Sequence, residues 1–235
     1  MNKISIIIPT FNERGNISHL IKDIRALLYD YNYEIIIVDD DSPDGTYDFV
    51  KDLNYKEVRS IKRTLNKGLA NSIRCGIEHA TGDAIVILDS DFNHDPKLIP
   101  FMLKALPYFD CVIASRFVYG GQGLNPIRHL LSWSFNLFLR AITGSRVTDN
   151  LLGFFAIHRK ILNSLQFDDI FWGFGDYNIR LLHYLQSKQF SILQVPTIIG
   201  SRKTGSGNSQ LGKTFILYTL SVFKLVLSAG RIWKN

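Results

Sequence analysis

The stretch Gly82-Asp83-Ala84-Ile85-Val86-Ile87-Leu88-Asp89-Ser90-Asp91-Phe92-Asn93-His94-Asp95-Pro96 constrains the fold more than any other part of the chain. Ala84 to Leu88 is an unbroken apolar run rich in β-branched residues, which suits a central strand covered on both faces. The polarity then flips. Residues i and i+2 of extended backbone point the same way, so Asp89 and Asp91 can aim at one point beyond the strand end. Two carboxylates that close repel each other unless a cation lies between them. A hard divalent ion, Mg²⁺ or Mn²⁺, is the natural partner, with diphosphate oxygens completing its shell. The competing reading is a solvated turn in which Asp95 caps a helix that starts at Pro96.

The same grammar recurs along the chain. Ile4 to Pro9 and Glu34 to Val38 read as buried strands, Val58 to Ile61 and Cys111 to Ala114 as two more. Between them lie helical stripes. One carries Ile17, Leu20, Ile21, Ile24, Leu27 and Leu28 with Asn16 as its cap, a second runs from Tyr47 to Leu53, a third from Asn66 to about Ala80, and a fourth from Pro96 to Leu106. This alternation predicts an α/β fold, a parallel sheet with helices on both faces. Ligands of such sheets bind beyond the strands' carboxyl ends. Pro9 to Glu13, Asp39-Asp40-Asp41, Asp89-Ser90-Asp91 and Ser115-Arg116 all fall there, on one rim.

The 235 residues suffice for one large domain or two small ones, and the net charge of +6 admits phosphorylated substrates or anionic membranes. No Lys/Arg block is present, and basic and aromatic residues do not interleave on one strand face, which argues against nucleic acid. Cys75 and Cys111 are too few for a disulfide or metal-finger framework. No uncharged apolar stretch reaches the ~20 residues a spanning helix needs, and Lys3 leads straight into a strand pattern, so no signal peptide is expected.

Taken together, Ile8-Pro9-Thr10-Phe11-Asn12-Glu13, Val38-Asp39-Asp40-Asp41-Ser42-Pro43-Asp44-Gly45-Thr46, Asn66-Lys67-Gly68 and Asp89-Ser90-Asp91 resemble the inverting family-2 glycosyltransferases of GT-A fold. Within them the dolichol-phosphate mannosyltransferase group is most similar. The likeness continues through Ser115-Arg116, Asp149 to Phe155, Val195-Pro196, Arg202 and Ser209 to Gly212. It implies a GT-A catalytic domain over 1–212, its nucleotide-binding half about 1–115 and its acceptor half about 116–212.

The resemblance also implies roles. Pro9, Phe11 and Glu13 would line a nucleotide pocket together with Asp40 and Lys67, and Asp39 would hold the base or ribose. Asp89, Asp91 and Asn93 would bind a divalent metal that bridges a sugar-nucleotide diphosphate. Arg116, Arg128 and Ser132 would hold the phosphate of a polyprenyl acceptor, and Arg202, in a loop short of bulky apolar residues, would clamp the diphosphate. The expected reaction moves a hexose, mannose from GDP-mannose favoured, to polyprenyl phosphate. An acceptor phosphate needs no strong base; a hydroxyl acceptor would, and Asp176 is then the candidate, unless it merely caps the helix of Ile179, Leu182 and Leu185. A UDP-sugar donor, or a non-catalytic sugar-nucleotide-binding subunit, are the alternatives. Two residues depart from the family pattern: Gln210 stands where Lys is common, and Leu152 where Ser is usual.

Two segments point to a membrane surface. Pro126 to Thr143 is too apolar for an ordinary surface helix, and is either core or a helix in the bilayer interface that delivers Arg128 and Ser132. The tail, 213–235, reads as an in-plane amphipathic anchor. Thr214, Ser221, Lys224, Ser228 and Arg231 form its polar face. The expected location is the membrane periphery on the cytoplasmic face, with a membrane-anchoring subunit as a candidate partner.

Overall fold

Seven strands form one sheet in the computed structural model, which describes residues 2–123, 125–200 and 211–232. In chain order the elements are β1 (Ile4–Thr10), α1 (Arg14–Leu27), β2 (Tyr33–Asp39), α2 (Thr46–Asp52), β3 (Val58–Lys62), α3 (Leu69–His79) and β4 (Ala84–Ile87). A 3₁₀ turn (Pro96–Leu98) leads into α4 (Ile99–Ala105). There follow β5 (Cys111–Ser115), α5 (Pro126–Thr143), β6 (Phe155–His158), α6 (Arg159–Leu162), α7 (Phe167–Ile170), α8 (Tyr177–Ser187), β7 (Ile192–Pro196) and α9 (Leu211–Ile232).

The strand order is β3-β2-β1-β4-β6-β5-β7, and all pairs are parallel except those that β6 makes with β4 and β5. Strand alternation sorts the apolar runs into two cores. Ile4, Ile6, Ile8, Ala84, Val86 and Leu88 face α1 and α4, whereas Ile7, Ile85 and Ile87 face α3 and α8. Every residue of β1, β4 and β5 is buried, so the continuous apolar runs of the sequence are central strands.

Parallel strands put the ends of β1, β2, β4 and β5 on one rim. Because β6 is reversed, it is the segment entering it, 149–154, that reaches the same rim.

Three local expectations change. First, α1 starts at Arg14, so Asn16 is not its cap. Asn16 lies buried in the first turn and donates from Nδ2 to Glu13 Oε2 (2.7 Å). Second, α5 is not core: of its residues only Asn136 and Leu139 are buried. Third, the polar residues of α9 do not all face outward. Ser221 is buried with Val222 and Leu225 against the body of the protein, while Ile216, Leu217, Leu220, Phe223 and Leu227 are exposed. Among the described residues no helix is long and apolar enough to cross a membrane.

Candidate active site

Two cavities open on the carboxyl rim, and Asp89 belongs to both. The first, about 520 Å³, is lined by the loop after β1 (Pro9, Thr10, Phe11, Glu13), by Asp40 and Lys67, and by Asp89, Ser90 and Asp91 after β4. The second, about 510 Å³, is lined by Asp89, Asn93, Arg116, Arg128 and Ser132, with Leu152 and Gly153 from the segment that enters β6.

The acidic turn after β2 is mostly architecture. Asp39 is fully buried. Its Oδ1 accepts from Ser42 N–H (2.8 Å), and its Oδ2 accepts from Ser42 Oγ (2.6 Å) and Thr10 Oγ1 (3.0 Å). It is not among the residues that line the first cavity; the carboxylate ties β1 to the turn. Asp40 does line the cavity. It accepts from Gly68 N–H (2.6 Å), Ser72 Oγ (2.8 Å) and Arg63 Nη1 (2.6 Å), which pins the Asn66-Lys67-Gly68 turn to the rim. Gly68 has φ 130°, a conformation that favours glycine. Lys67 Nζ lies 3.0 Å from Asp41, which also pairs with Lys62 (2.9 Å). Hydrogen bonds from these two lysines hold the Asp41 carboxyl below the usual carboxylate range.

The loop after β4 combines both readings of its sequence. Asp95 does cap the turn that follows, accepting from Lys97 N–H (3.0 Å). Asp89 and Asp91 remain at the cavities. Phe92 has φ 64°, which curls the loop so that Asp91 accepts from Asn93 N–H (3.0 Å) and Asn93 Nδ2 (2.6 Å). Gly200 N–H donates to Asn93 O (3.2 Å), fastening the chain after β7 to this loop. Arg202 and Gln210 lie outside the described residues.

Sequence reasoning gave His94 no role, yet the structure places it under Asp89. It is 2% exposed and stacks on Phe154, ring centroids 5.0 Å apart. Its Nδ1 accepts the Asp89 N–H (2.9 Å), and Nε2 lies 3.6 Å from Asp89 Oδ2. With Nδ1 as acceptor the neutral ring carries its proton on Nε2, on the side of the carboxylate. The ring thus binds the backbone of Asp89 and lies close to its carboxylate. A histidine five residues beyond an aspartate at a strand end is the signal that could have found it. Phe174 in the first cavity and Phe215 in the second were also missed: Phe174 lies in a loop without periodicity, and the helical pattern around Phe215 does not show that this helix packs at the rim.

In the second cavity, Arg116 is held by the buried Asp149. Nε and Nη2 donate to its two oxygens at 2.8 Å, and the Arg116 N–H adds a third bond of 3.1 Å. One edge of the guanidinium is therefore taken, and the Nη1 edge is the one left to an incoming anion. Arg128 sits in the first turn of α5, whose N-terminus Asn125 caps by accepting from Ile127 and Arg128 N–H (3.0 and 3.1 Å). Asn136 joins α5 to the 149–153 segment by accepting from Asn150 N–H (2.7 Å). Leu152, where Ser is usual in the family pattern, is buried among the apolar residues of the α1 face. Gly153 is pressed on by Tyr177, for a methyl there would fall 2.3 Å from Tyr177 Oη.

Asp176 lines neither cavity. It occupies the residue before α8, but its side chain makes no capping bond to the helix. Its Oδ1 accepts from Phe174 N–H (2.8 Å), and its other oxygen is bound by Arg180. Arg180 is buried, which pushes its guanidinium below the usual arginine range, while the Asp176 charge opposes that shift.

The residues fit a hard divalent cation of one kind only. Among the described residues no three His, Cys, Asp or Glu side chains gather into a metal cage. Two carboxylates at the mouth of a cavity are the donor set of an ion that takes its remaining oxygens from a bound diphosphate.

The family model described as glycosyl transferase family 2 matches residues 5–166. A dolichol-phosphate mannosyltransferase of Pyrococcus furiosus is 34% identical over 98% of this chain, which spans 65% of that protein's length. An undecaprenyl-phosphate mannosyltransferase of Micrococcus luteus is 29% identical over 89% of this chain and 88% of its own. Among solved structures, glucosyl-3-phosphoglycerate synthase of Mycobacterium tuberculosis, crystallised with Mn²⁺, UDP and phosphoglyceric acid, superposes with a TM-score of 0.77. It covers 96% of this chain and 78% of its own at 20% identity, a likeness of fold.

Proposed function

The chain belongs to glycosyl transferase family 2, and from that membership we propose that it transfers a hexose with inversion from a nucleoside-diphosphate sugar to a polyprenyl phosphate. The observation that carries this reading is Asp89, the carboxylate common to a cavity rimmed by Pro9, Phe11, Glu13 and Asp40 and a cavity rimmed by Arg116, Arg128 and Ser132. A donor diphosphate in the first and an acceptor phosphate in the second would meet there.

Charge dictates the chemistry. One acceptor phosphate oxygen attacks the anomeric carbon as the bond to the donor's β-phosphate oxygen breaks, and the nucleoside diphosphate leaves. The attacking oxygen is already anionic, so no general base is required. This agrees with the sealing of Asp176 by Arg180. Asp89 and Asp91 would hold a Mg²⁺ or Mn²⁺ ion, with Asn93 beside them. Such an ion neutralises the charge that builds on the diphosphate. Arg116 and Arg128 would set the acceptor phosphate in line with the sugar, and Arg202 would clamp the departing diphosphate. Mannose from GDP-mannose is the first donor to test, supported by the mannosyltransferase relatives. A UDP-sugar is the second, because the solved structures of like fold hold UDP.

The acceptor lipid would be met at a membrane surface. Ile127, Leu130, Leu131, Trp133, Leu137 and Phe138 of α5 are exposed, and so is the row Ile216, Leu220, Phe223 and Leu227 on α9. Contiguous exposed apolar area of this kind marks an interaction surface. On this reading the protein attaches peripherally at the cytoplasmic face of a membrane, with a membrane-anchoring subunit as a further candidate partner.

The test uses purified protein, polyprenyl phosphate, Mn²⁺ and radiolabelled GDP-mannose, UDP-glucose or UDP-N-acetylglucosamine. Label should pass from one donor into butanol-extractable lipid, and Asp91→Ala should abolish it. Metal-dependent donor hydrolysis without lipid label would assign another acceptor. Absence of both, with no donor binding by calorimetry, would leave a non-catalytic fold.

A further inference from the structure

The C-terminal helix reaches further into the site than a membrane anchor needs to. Phe215 of α9 lines the second cavity. One turn later Tyr218 presses on the loop between α7 and α8, where a methyl on Gly175 would fall 2.1 Å from Tyr218 Oη. Ser221 Oγ accepts from Arg180 Nη1 (2.6 Å), the guanidinium that also holds Asp176 and the Trp172 carbonyl. Lys224 Nζ lies 4.5 Å from the Trp172 ring, whose other partner is the Arg180 guanidinium at 3.7 Å. Val222 and Leu225 are buried, Val222 with Leu139 of α5 and Ile179 of α8. Tyr218 and Lys224 thus meet this loop directly, and Ser221 reaches it through Arg180, which binds Asp176 and the Trp172 carbonyl.

That loop is a wall of the donor cavity. Phe174 lines it and is itself 54% exposed, so its position depends on its backbone and not on packing. The Gly173 carbonyl lies 3.6 Å from where a Cβ on Gly68 would sit, in the turn pinned by Asp40. Burial raises the Tyr218 pKa, and the nearby carboxylates of Asp176 and Asp89 raise it further, so the hydroxyl stays protonated near neutrality.

We propose that Tyr218 is a positioning residue of the donor site, holding the Trp172–Asp176 loop so that Phe174 closes the nucleotide-sugar cavity, and that α9 is therefore part of the active site as well as of the membrane face. This rests on the first cavity being the donor site, but not on the identity of the acceptor.

The experiment compares wild type with Tyr218→Phe, Gly175→Ala and the double variant, with Tyr108→Phe as an exposed tyrosine far from the cavities. GDP and UDP affinities are measured by calorimetry with Mn²⁺, donor KM and kcat by the lipid assay, and Tm by calorimetric scan. Tyr218→Phe should weaken nucleotide binding and raise donor KM about fivefold, the size of the one hydrogen bond that its hydroxyl makes with the Gly175 backbone, with kcat and Tm little changed. Gly175→Ala should weaken binding more, and Tyr218→Phe should recover part of that loss by removing the clashing oxygen. Unchanged affinity and KM in Tyr218→Phe, or no recovery in the double variant, overturns the proposal. Weakened nucleotide binding in a protein that labels no lipid keeps the proposal and overturns the acceptor reading. A wild type that binds neither nucleotide overturns both.

Discussion

His94 shows how one side chain can set the direction of another. Asp89 stands where two cavities meet, and 41% of its side chain is exposed, so solvent alone would leave it several rotamers. The imidazole beneath it takes its N–H and faces its carboxylate. His94→Ala should lower donor turnover by ten- to a hundredfold, the range typical of losing a group that orients a metal ligand. Concentration of Mn²⁺ for half-maximal activity should rise, with donor KM at saturating metal nearly unchanged. His94→Asn, which can still accept the Asp89 N–H, should restore part of the activity. A variant with wild-type metal dependence would show that the ring only fills space. The sequence placed Asp89 and Asp91 correctly at the rim, because an apolar run that ends in carboxylates has few other meanings. It did not show that Asp39 also closes a local turn through its bonds to Thr10 and Ser42. Asp three residues before Ser is a turn signal as much as a ligand signal, and composition does not separate the two.

At the scale of elements, β1, β2, β4 and β5 were legible because each is a buried, largely β-branched run bounded by turn residues, and β3, which has no buried residue, by its place in the alternation. β6 and β7 were not. Phe155 to His158 is four residues long, and such a run does not declare strand or helix. Only the pairings with β4 and β5 reveal the reversed strand, and those are non-local. The apolar stripe of α5 left core and membrane surface equally open, and burial decides it: the stripe is outside. On α9 the pattern pointed the polar face outward, yet Ser221 turns inward to Arg180 and the apolar row turns out. Replacing Leu220 and Phe223 together by Asp should therefore abolish flotation with anionic vesicles while the Tm holds, since neither side chain is buried. Loss of fold, or undiminished flotation, would contradict this arrangement.

For the molecule as a whole, the rim opposite the site carries stability. Glu34, at the start of β2, accepts from Ser5 Oγ (2.6 Å) and from Thr81 N–H and Oγ1 (2.7 and 2.8 Å), and pairs with Arg59 (3.3 Å) and Lys3 (3.5 Å). Burial alone would raise its pKa, but these bonds and the Arg59 charge bring it down to about 2. A carboxyl whose folded pKa lies below its unfolded value stabilises the fold above the unfolded value of 4.5. That contribution, about 3 kcal/mol from the shift alone and about 2 kcal/mol once solvent screens the half-exposed Arg59 and Lys3, is lost as the pH falls from there towards 2. Glu34→Gln should lower stability to denaturant at pH 7 by the smaller amount, and the difference should vanish near pH 2, with the site at the far rim unaffected. The reversed strand β6 has a different consequence, for how such a molecule can diversify. The loops after parallel strands supply most of the first cavity, whereas the second draws mainly on residues from Arg116 to Gly153, whose end feeds the one antiparallel strand. Insertions and substitutions there can redraw the second cavity while β1, β2 and β4 keep their register, so on the proposed reading acceptor choice can drift through descent while nucleotide recognition stays put.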